Sequence, residues 1–291
     1  MEIYMNEDAL KKAWSDHSRL WEKNIWVYPV ISRRAEGLSI GVNLNLDKHC
    51  TFSCVYCQVN RTVPGPKKEI DIDAIDAEIE SIFAEYEKNG LTNFANFKDV
   101  PAEKRRVKDI SLSGDGESTI APEFSAVCRR LRKIQERHAE HDLQLTLITN
   151  ATMLDRDNVR EGLKYLTEKK GEIWAKLDAG TDAWYKKVDR SHMPLGHVQE
   201  NIESTVKDFP LRVQTLFCEI SGERPSDQEI DAYIDRIERI YKANPKNFLG
   251  IQLYDVIRHT AAPHVLPLGK PALTAIADKL RARVPVTVKV Y

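Results

Sequence analysis

From residue 39 to the C-terminus the chain alternates stretches of strand period with stretches of helix period, and this constrains its fold more than any other feature. Residues 39–46 set Ile40, Val42, Leu44 and Leu46 against Gly41, Asn43 and Asn45, a period of two. Further strands are expected over 107–114, 143–150, 172–179, 211–220 and 248–257. Helical spacing places Ile75, Ile79, Ile82 and Phe83 on one face of a helix that starts near Asp71 and stops at Gly90. Helices are also expected over 122–137, 157–168, 182–188, 197–207, 226–243 and 271–283, with a terminal strand in VPVTVKVY. The polar, proline-marked stretch 91–106 reads as a loop or a short extra helix. Before residue 39, an amphipathic helix over 7–22, with Leu10, Trp14 and Leu20 or Trp21 on its apolar side, leads into an extended segment containing Pro29.

Strands that alternate with helices lie parallel, with the helices outside. Six such units without a two-residue hairpin signal suggest a barrel, or one that fails to close. Periodicity alone equally allows an open doubly wound sheet. The expected organisation is α/β and single-domain: 1–38 as N-terminal helix and extended lead-in, 39–258 as barrel, and 259–291 as a C-terminal helix and strand.

The chemistry sits in DKHCTFSCVYCQ, where Cys50, Cys54 and Cys57 are separated by three and then two residues. Three thiolates in one tight loop leave one iron of a cubane cluster without a protein ligand, and an open iron can bind substrate or cofactor. The competing reading is zinc, whose structural sites close with four ligands. His49, Cys128 or Cys218 would then supply the fourth, although zinc cysteines usually come as two separated pairs. Cys128 and Cys218 each stand alone in apolar stretches and read as core residues.

Five cysteines in 291 residues, three of them clustered, are no disulfide framework, and 30% charged residues with 42% hydrophobic fit an intracellular enzyme. The N-terminal stretch is acidic and has no apolar core of signal-peptide length, so a cytoplasmic location without a membrane span is expected. A net charge of −1 advertises no nucleic-acid field. Local basic clusters exist at Lys104, Arg105, Arg106 and Lys108 and at Arg129, Arg130, Arg132, Lys133 and Arg137, readable as solvated faces or as phosphate sites. His138 and His141, on a charged and exposed helix end, give a second metal site little support.

The cysteine spacing, with Tyr56 just before the last ligand, resembles the radical S-adenosylmethionine (radical SAM) superfamily. The resemblance implies a partial (βα)6 TIM-like barrel with the cluster loop after the first strand. It implies a 4Fe–4S cluster and S-adenosyl-L-methionine as cofactors, with SAM chelating the open iron. A one-electron donor such as a flavodoxin or ferredoxin reduces the cluster, which cleaves SAM to a 5′-deoxyadenosyl radical that abstracts hydrogen from substrate.

Active groups in parallel α/β folds gather where strands end. The stretch Ser113, Gly114, Asp115, Gly116, Glu117 resembles the superfamily's Gly-Gly-Glu element, which receives the SAM amino group. Asp115 replaces one expected glycine, so Glu117 or Asp115 is the candidate acceptor, with an ordinary Asp-Gly turn as the plain alternative. Asn150 is a candidate for the ribose or carboxylate of SAM, or simply caps a turn. Lys176 and Asp178 share a strand face toward the barrel mouth, able to meet cofactor or to pair with each other or with Glu117. Arg190 is a candidate partner for the SAM carboxylate or a surface residue. Gln214 and Gln252 interrupt apolar strands, as contacts to adenosine or substrate or as structural glutamines.

Within the superfamily, SRRAEGLSIGVNLNLDKHCTFSCVYCQ, SGDGEST, ITNAT, KLDAGTDAWYKKVDR and QLYDVIRHTAAPHVLPL resemble the branch of the tRNA wybutosine-synthesising enzymes, which make 4-demethylwyosine from an N-methylguanosine in tRNA and pyruvate. This chain lacks the further cysteines of that branch's second cluster. The branch also needs a lysine that holds pyruvate as an imine, and Lys176 is the conceivable one here. The leading expectation is a single-cluster radical SAM enzyme acting on a nucleoside in tRNA. A peptide or small metabolite as substrate, or a non-catalytic zinc or electron-carrier protein, are the alternatives.

Overall fold

A computed structural model describes residues 10, 12–14, 19, 21–256 and 264–291. An eight-stranded sheet organises the fold. Its strands, in spatial order, are β1 (Val27–Ser32), β2 (Gly37–Val42), β3 (Val107–Leu112), β4 (Gln144–Thr149), β5 (Gly171–Lys176), β6 (Leu211–Leu216), β8 (Phe248–Tyr254) and β10 (Val288–Val290). From β2 to β10 every pairing is parallel, whereas β1 runs antiparallel to β2. Six consecutive parallel strands, β2 to β6 and β8, form the arc, and β1 and β10 are its two unpaired edges. This is the partial barrel expected.

The helices follow the strands as the alternation predicted: α1 (Ile72–Asn89), α2 (Phe124–Arg137), α3 (Asp157–Thr167), α4 (Asp182–Val188), α5 (Leu195–Asp208), α6 (Asp227–Ala243) and α7 (Lys270–Arg283). Asp71, Thr181 and Ser226 cap α1, α4 and α6 by accepting from amides three residues on. Gly90, at φ 61°, ends α1 in the left-handed conformation. The inward stripe of α1, from Ile75 to Phe83, joins one continuous core with the outward faces of the strands.

Four expectations need correction. The extended lead-in is strand β1, which pairs with β2 through a turn of four residues, 33–36, where Glu36 takes a φ of 60°. Strand β2 ends at Val42, so Leu44 and Leu46 pack from the following loop. The fifth strand breaks at Phe217, after which β7 (Cys218–Ile220) turns out to pair with β9 (Val265–Pro267). His138 is buried at 8% exposure, its ring stacked 3.8 Å from Phe83. The N-terminal helix falls largely outside the described residues, as does Ile257, while residues 102–104 of the polar stretch form a short 3-10 turn. Cys128 and Cys218 are fully buried.

Of the basic clusters, Arg130 and Arg137 are committed to Asp73, Asp76 and Glu80 on α1, a solvated ion-pair network between helices. No described helix is long and apolar enough to cross a membrane.

Candidate functional site

The loop that leaves β2 carries the three cysteines and is held by elements distant in sequence. At its start, Asn43 donates to Asp115 at 2.7 Å and accepts from the Asp115 amide at 3.1 Å. Glycines at the end of β3 allow this approach. A Cβ on Gly114 would lie 2.2 Å from Asn43 Oδ1, and one on Gly116 would lie 1.9 Å from the His49 carbonyl oxygen. That same carbonyl accepts from the Glu117 amide at 3.0 Å. On the other side, the Ser53 and Val55 amides donate to the Asp189 and Val188 carbonyls, each at 2.9 Å. Ser191 Oγ donates to the Thr51 carbonyl at 2.9 Å.

All three cysteines are free thiols at intermediate burial. Cys50 Sγ receives the Phe52 amide at 3.5 Å and faces Asn150 Nδ2 at 3.6 Å. Cys54 faces the Asp189 carboxyl at 3.5 Å, and Arg61 Nη1 lies 3.0 Å from Cys57 Sγ. Burial, reinforced by the charge of Glu117, pushes the Cys50 thiol up to about 11. Burial, with Asp189 and Asp178 adding to it, holds Cys54 well above the usual thiol range. Such thiols keep their protons until a cation displaces them, which suits metal ligands and not exposed nucleophiles.

Beneath the loop lies a cavity of about 330 Å³. Of the residues expected from sequence, it takes in Cys50, Cys54 and Cys57 with Tyr56, then Gly114, Gly116, Glu117, Asn150, Lys176 and Gln214. Asp115, Asp178, Arg190 and Gln252 do not line it. Asp115 forms an ion pair with Arg19. Gln252 faces a smaller polar chamber of about 290 Å³ and accepts from Gln214 Nε2 at 2.7 Å. Arg190 is exposed, and its neighbour Asp189 turns inward to Cys54 instead.

Glu117 reaches the cavity wall, but its oxygens are engaged. They accept from the Thr119 amide and hydroxyl at 3.2 and 2.5 Å, from Thr149 Oγ1 at 2.7 Å and from the Asn150 amide at 2.7 Å. Burial raises its pKa, and these donors oppose the rise. Asn150 forms the turn expected of it, with Oδ1 accepting from Thr152 at 2.7 and 3.1 Å, and its Nδ2 reaches Thr51 at 2.8 Å beside Cys50.

On β5, Lys176 pairs with Asp178 at 3.1 Å and donates to Tyr254 Oη. Its ammonium lies 5.0 Å from the Tyr56 ring centroid and 4.6 Å from that of Tyr254. Asp178 also accepts from Tyr56 Oη and, at 2.7 Å, from the Leu216 amide. Burial pulls the lysine pKa down, but Asp178 and Tyr254 outweigh it and hold the group above its ordinary value. Lys176 is therefore an ammonium in a satisfied network.

A family model of the radical SAM superfamily matches residues 44–209, which contain the cysteine loop and the ends of β3, β4 and β5. The chain belongs to the radical SAM superfamily. A UPF0026 protein of Methanocaldococcus jannaschii is 27% identical over 168 residues, covering 57% of this chain and 44% of that protein. A UPF0026 protein of Helicobacter pylori is 22% identical over 217 residues, covering 74% of this chain and 62% of that one. The chain thus matches less than two thirds of the length of these relatives.

Among solved structures, TYW1 with a lysine-pyruvate adduct bound superposes with a TM-score of 0.57 at 14% identity, covering 95% of this chain and 81% of TYW1. Streptococcus suis SuiB bound to S-adenosylmethionine gives 0.51 at 11% identity, covering 89% and 48%. At these identities the likeness is one of fold. The donor set fits the superfamily's cofactors: three thiols on one loop, open to a cavity of mixed polar and apolar lining. Among the described residues, the ligand groups found within 4.8 Å of one another are Glu87, His138, Glu140 and His141, away from the cysteines.

Sequence reasoning passed over Arg33, Arg34, Asn43, Arg61, Asp189 and Tyr254. Arg61 was within reach of it, because a guanidinium four residues after a candidate ligand cysteine is a charge complement. The others become visible only when the strand ends meet.

Proposed function

We propose that this radical SAM enzyme holds a 4Fe–4S cluster on Cys50, Cys54 and Cys57 and binds SAM at the remaining iron. The observation that supports this most is that three free cysteines of one loop border a cavity, in a chain of this superfamily. When bound and reduced by a flavodoxin or ferredoxin, the cluster supplies the electron that cleaves SAM to the 5′-deoxyadenosyl radical.

The chain's own residues hold and shield. Arg61 beside Cys57 and Asn150 beside Cys50 offer donors to ligand sulfurs, an arrangement that favours the thiolate form and raises cluster potential. The backbone around Gly114 and Gly116 faces the cavity and offers acceptors to the SAM amino group, while Glu117, saturated by four donors, fixes the ends of β3 and β4 around it. Lys176 and Tyr254 line the cavity as well, with Asp178 behind them holding the lysine.

The substrate we favour is a nucleoside in tRNA, supported by the sequence branch and by the fold shared with TYW1. TYW1 carries a lysine-pyruvate adduct; the lysine in this cavity, Lys176, must first lose the proton that Asp178 stabilises before it can form one.

Anaerobic reconstitution tests the reading. The reduced protein should give a cubane paramagnetic resonance signal that shifts when SAM is added, and 5′-deoxyadenosine should accumulate. Cys54→Ala should fold but form none. A colourless protein holding one zinc ion would sink the proposal. Comparing tRNA nucleosides from cells with and without the gene tests the substrate, and an unchanged profile moves it to a peptide or metabolite.

A further inference from the structure

Most charged groups in and beside the cavity are engaged: Glu117 and Asp255 accept from hydrogen-bond donors, and Arg61 donates to the Lys48 and Asp115 carbonyls and lies beside Cys57. Arg19 is paired with Asp115, Lys176 with Asp178, and Arg212 with Glu172 at 3.2 Å. Arg33 and Arg34, in the β1–β2 turn, both line the cavity and form no ion pair among the described residues. Their guanidinium groups rest on aromatic rings instead: Arg33 lies 5.9 Å from the Trp14 centroid, and Arg34 lies 5.0 Å from Tyr254 and 5.7 Å from Trp174. Ring faces compensate a half-buried cation only partly. Burial, then the neighbouring charge of Arg34, draws the Arg33 pKa below its ordinary value, while the charge of Arg34 is felt by Asp109 without an ion pair between them.

A second observation points to a ligand at the same end. Gln214 is fully buried and lines the cavity, yet its Oε1 has no hydrogen-bond partner while its Nε2 serves Gln252. An orphaned amide oxygen on a cavity wall is an open position for a donor on a bound molecule.

The position separates these groups from the cysteine loop. Tyr56, Lys176, Tyr254 and Arg34 alternate ring and cation, with successive separations of 5.0, 4.6 and 5.0 Å. Arg34 thus lies three steps from the tyrosine that adjoins Cys57. Both also sit at an edge of the sheet, on the β1 side of the unpaired gap.

We propose that Arg33 and Arg34 form an oxyanion-binding subsite of the reaction chamber, which takes a carboxylate or phosphate on the substrate and orients it, while Gln214 accepts from a donor on the same molecule. Two guanidinium forks with no ion pair among the described residues suit either anion, since both present paired oxygens. The inference deepens the proposed function by assigning the substrate a negative charge, and it rests on the cavity being the substrate chamber.

Binding is read on the cluster-free protein, so its result does not depend on radical chemistry. Inorganic phosphate and malonate are titrated separately by calorimetry and by the fluorescence of Trp174, which adjoins Arg34. Saturable binding of either anion is expected, at least tenfold weaker in Arg34→Gln and in Arg33→Gln, and partly restored in Arg34→Lys. Circular dichroism verifies that the variants fold. Preference for phosphate assigns a nucleotide-type substrate, and preference for malonate an organic acid. No saturable binding of either anion overturns the proposal. Unchanged anion affinity in both glutamine variants also overturns it. So does a tenfold loss of SAM affinity in reconstituted Arg34→Gln with anion binding intact, because the arginine then serves the cofactor.

Discussion

Removing the charge of Asp178 while keeping its shape tests whether the Lys176 network is the satisfied unit its geometry describes. Asp178 is 1% exposed and Lys176 9%, so neither charge has water to fall back on. In Asp178→Asn the amide can still accept from the Leu216 amide and meet Tyr56 Oη, so the packing is kept and the Coulombic partner of Lys176 is lost. Breaking one side of a buried pair costs about 3–5 kcal/mol. Retained hydrogen bonds and the Tyr254 hydroxyl place the expected loss near the lower end, about 3 kcal/mol, which is more than a hundredfold in the folding equilibrium.

Lys176→Met combined with Asp178→Asn removes both charges. A neutral replacement of similar volume is often close to neutral in stability, so the double variant should recover to within about 1 kcal/mol of the parent chain. Urea unfolding of the cluster-free protein at pH 7.5, with the slope compared across variants, measures the cycle. Two results refute the argument: a loss below about 1 kcal/mol in the single variant, or a double variant no more stable than Asp178→Asn.

Asp109, buried inside the barrel with its Oδ1 unpartnered, has its pKa pushed up by burial to about 6. The folded state therefore holds a proton that the unfolded state releases near pH 4, so stability falls as pH rises from about 4 to 6, by roughly 3 kcal/mol in the limit. Asp109→Asn should flatten that slope in urea titrations across this range; an unchanged slope refutes the assignment. Gly116→Ala drives a methyl into the His49 carbonyl, so iron bound per chain after reconstitution should fall severalfold while the helical signal is kept. Arg61→Ala removes a cation 3.0 Å from Cys57 Sγ and should shift the cluster potential to more negative values, read by redox titration of its absorbance.

What the sequence disclosed, and what it hid, follows from range. The βα alternation is a local property of side-chain periodicity, and α1 and α4 appear within a residue of their expected bounds because Asp71, Gly90 and Thr181 mark them locally. Strand β1 was hidden because Pro29 reads as a strand breaker, yet on an edge strand its missing amide leaves no ladder bond unmade. Its turn, Arg33 to Glu36, also has none of the glycine or asparagine pairs that announce a hairpin. In the site, the cysteines were legible because their spacing is local. Arg190 and Asp189 were not told apart, because one position in a turn decides which side chain faces Cys54.

The supports of the cysteine loop also order its assembly. Its contacts run to the end of β3 at Gly114 and Gly116, to Asn150 after β4, and to the 188–191 turn after α4. None of these is near the loop in sequence, so the loop takes its shape only once at least four strands have paired. Conversely the core that pairs those strands lies on their outer faces and in the helices, with the cysteines only packed against its margin. A small zinc module folds because its metal binds. Here the dependence runs the other way, with the barrel standing first and presenting three half-buried cysteines for the proposed cluster. Chelation of the metal should accordingly strip the loop and leave the strands and helices in place.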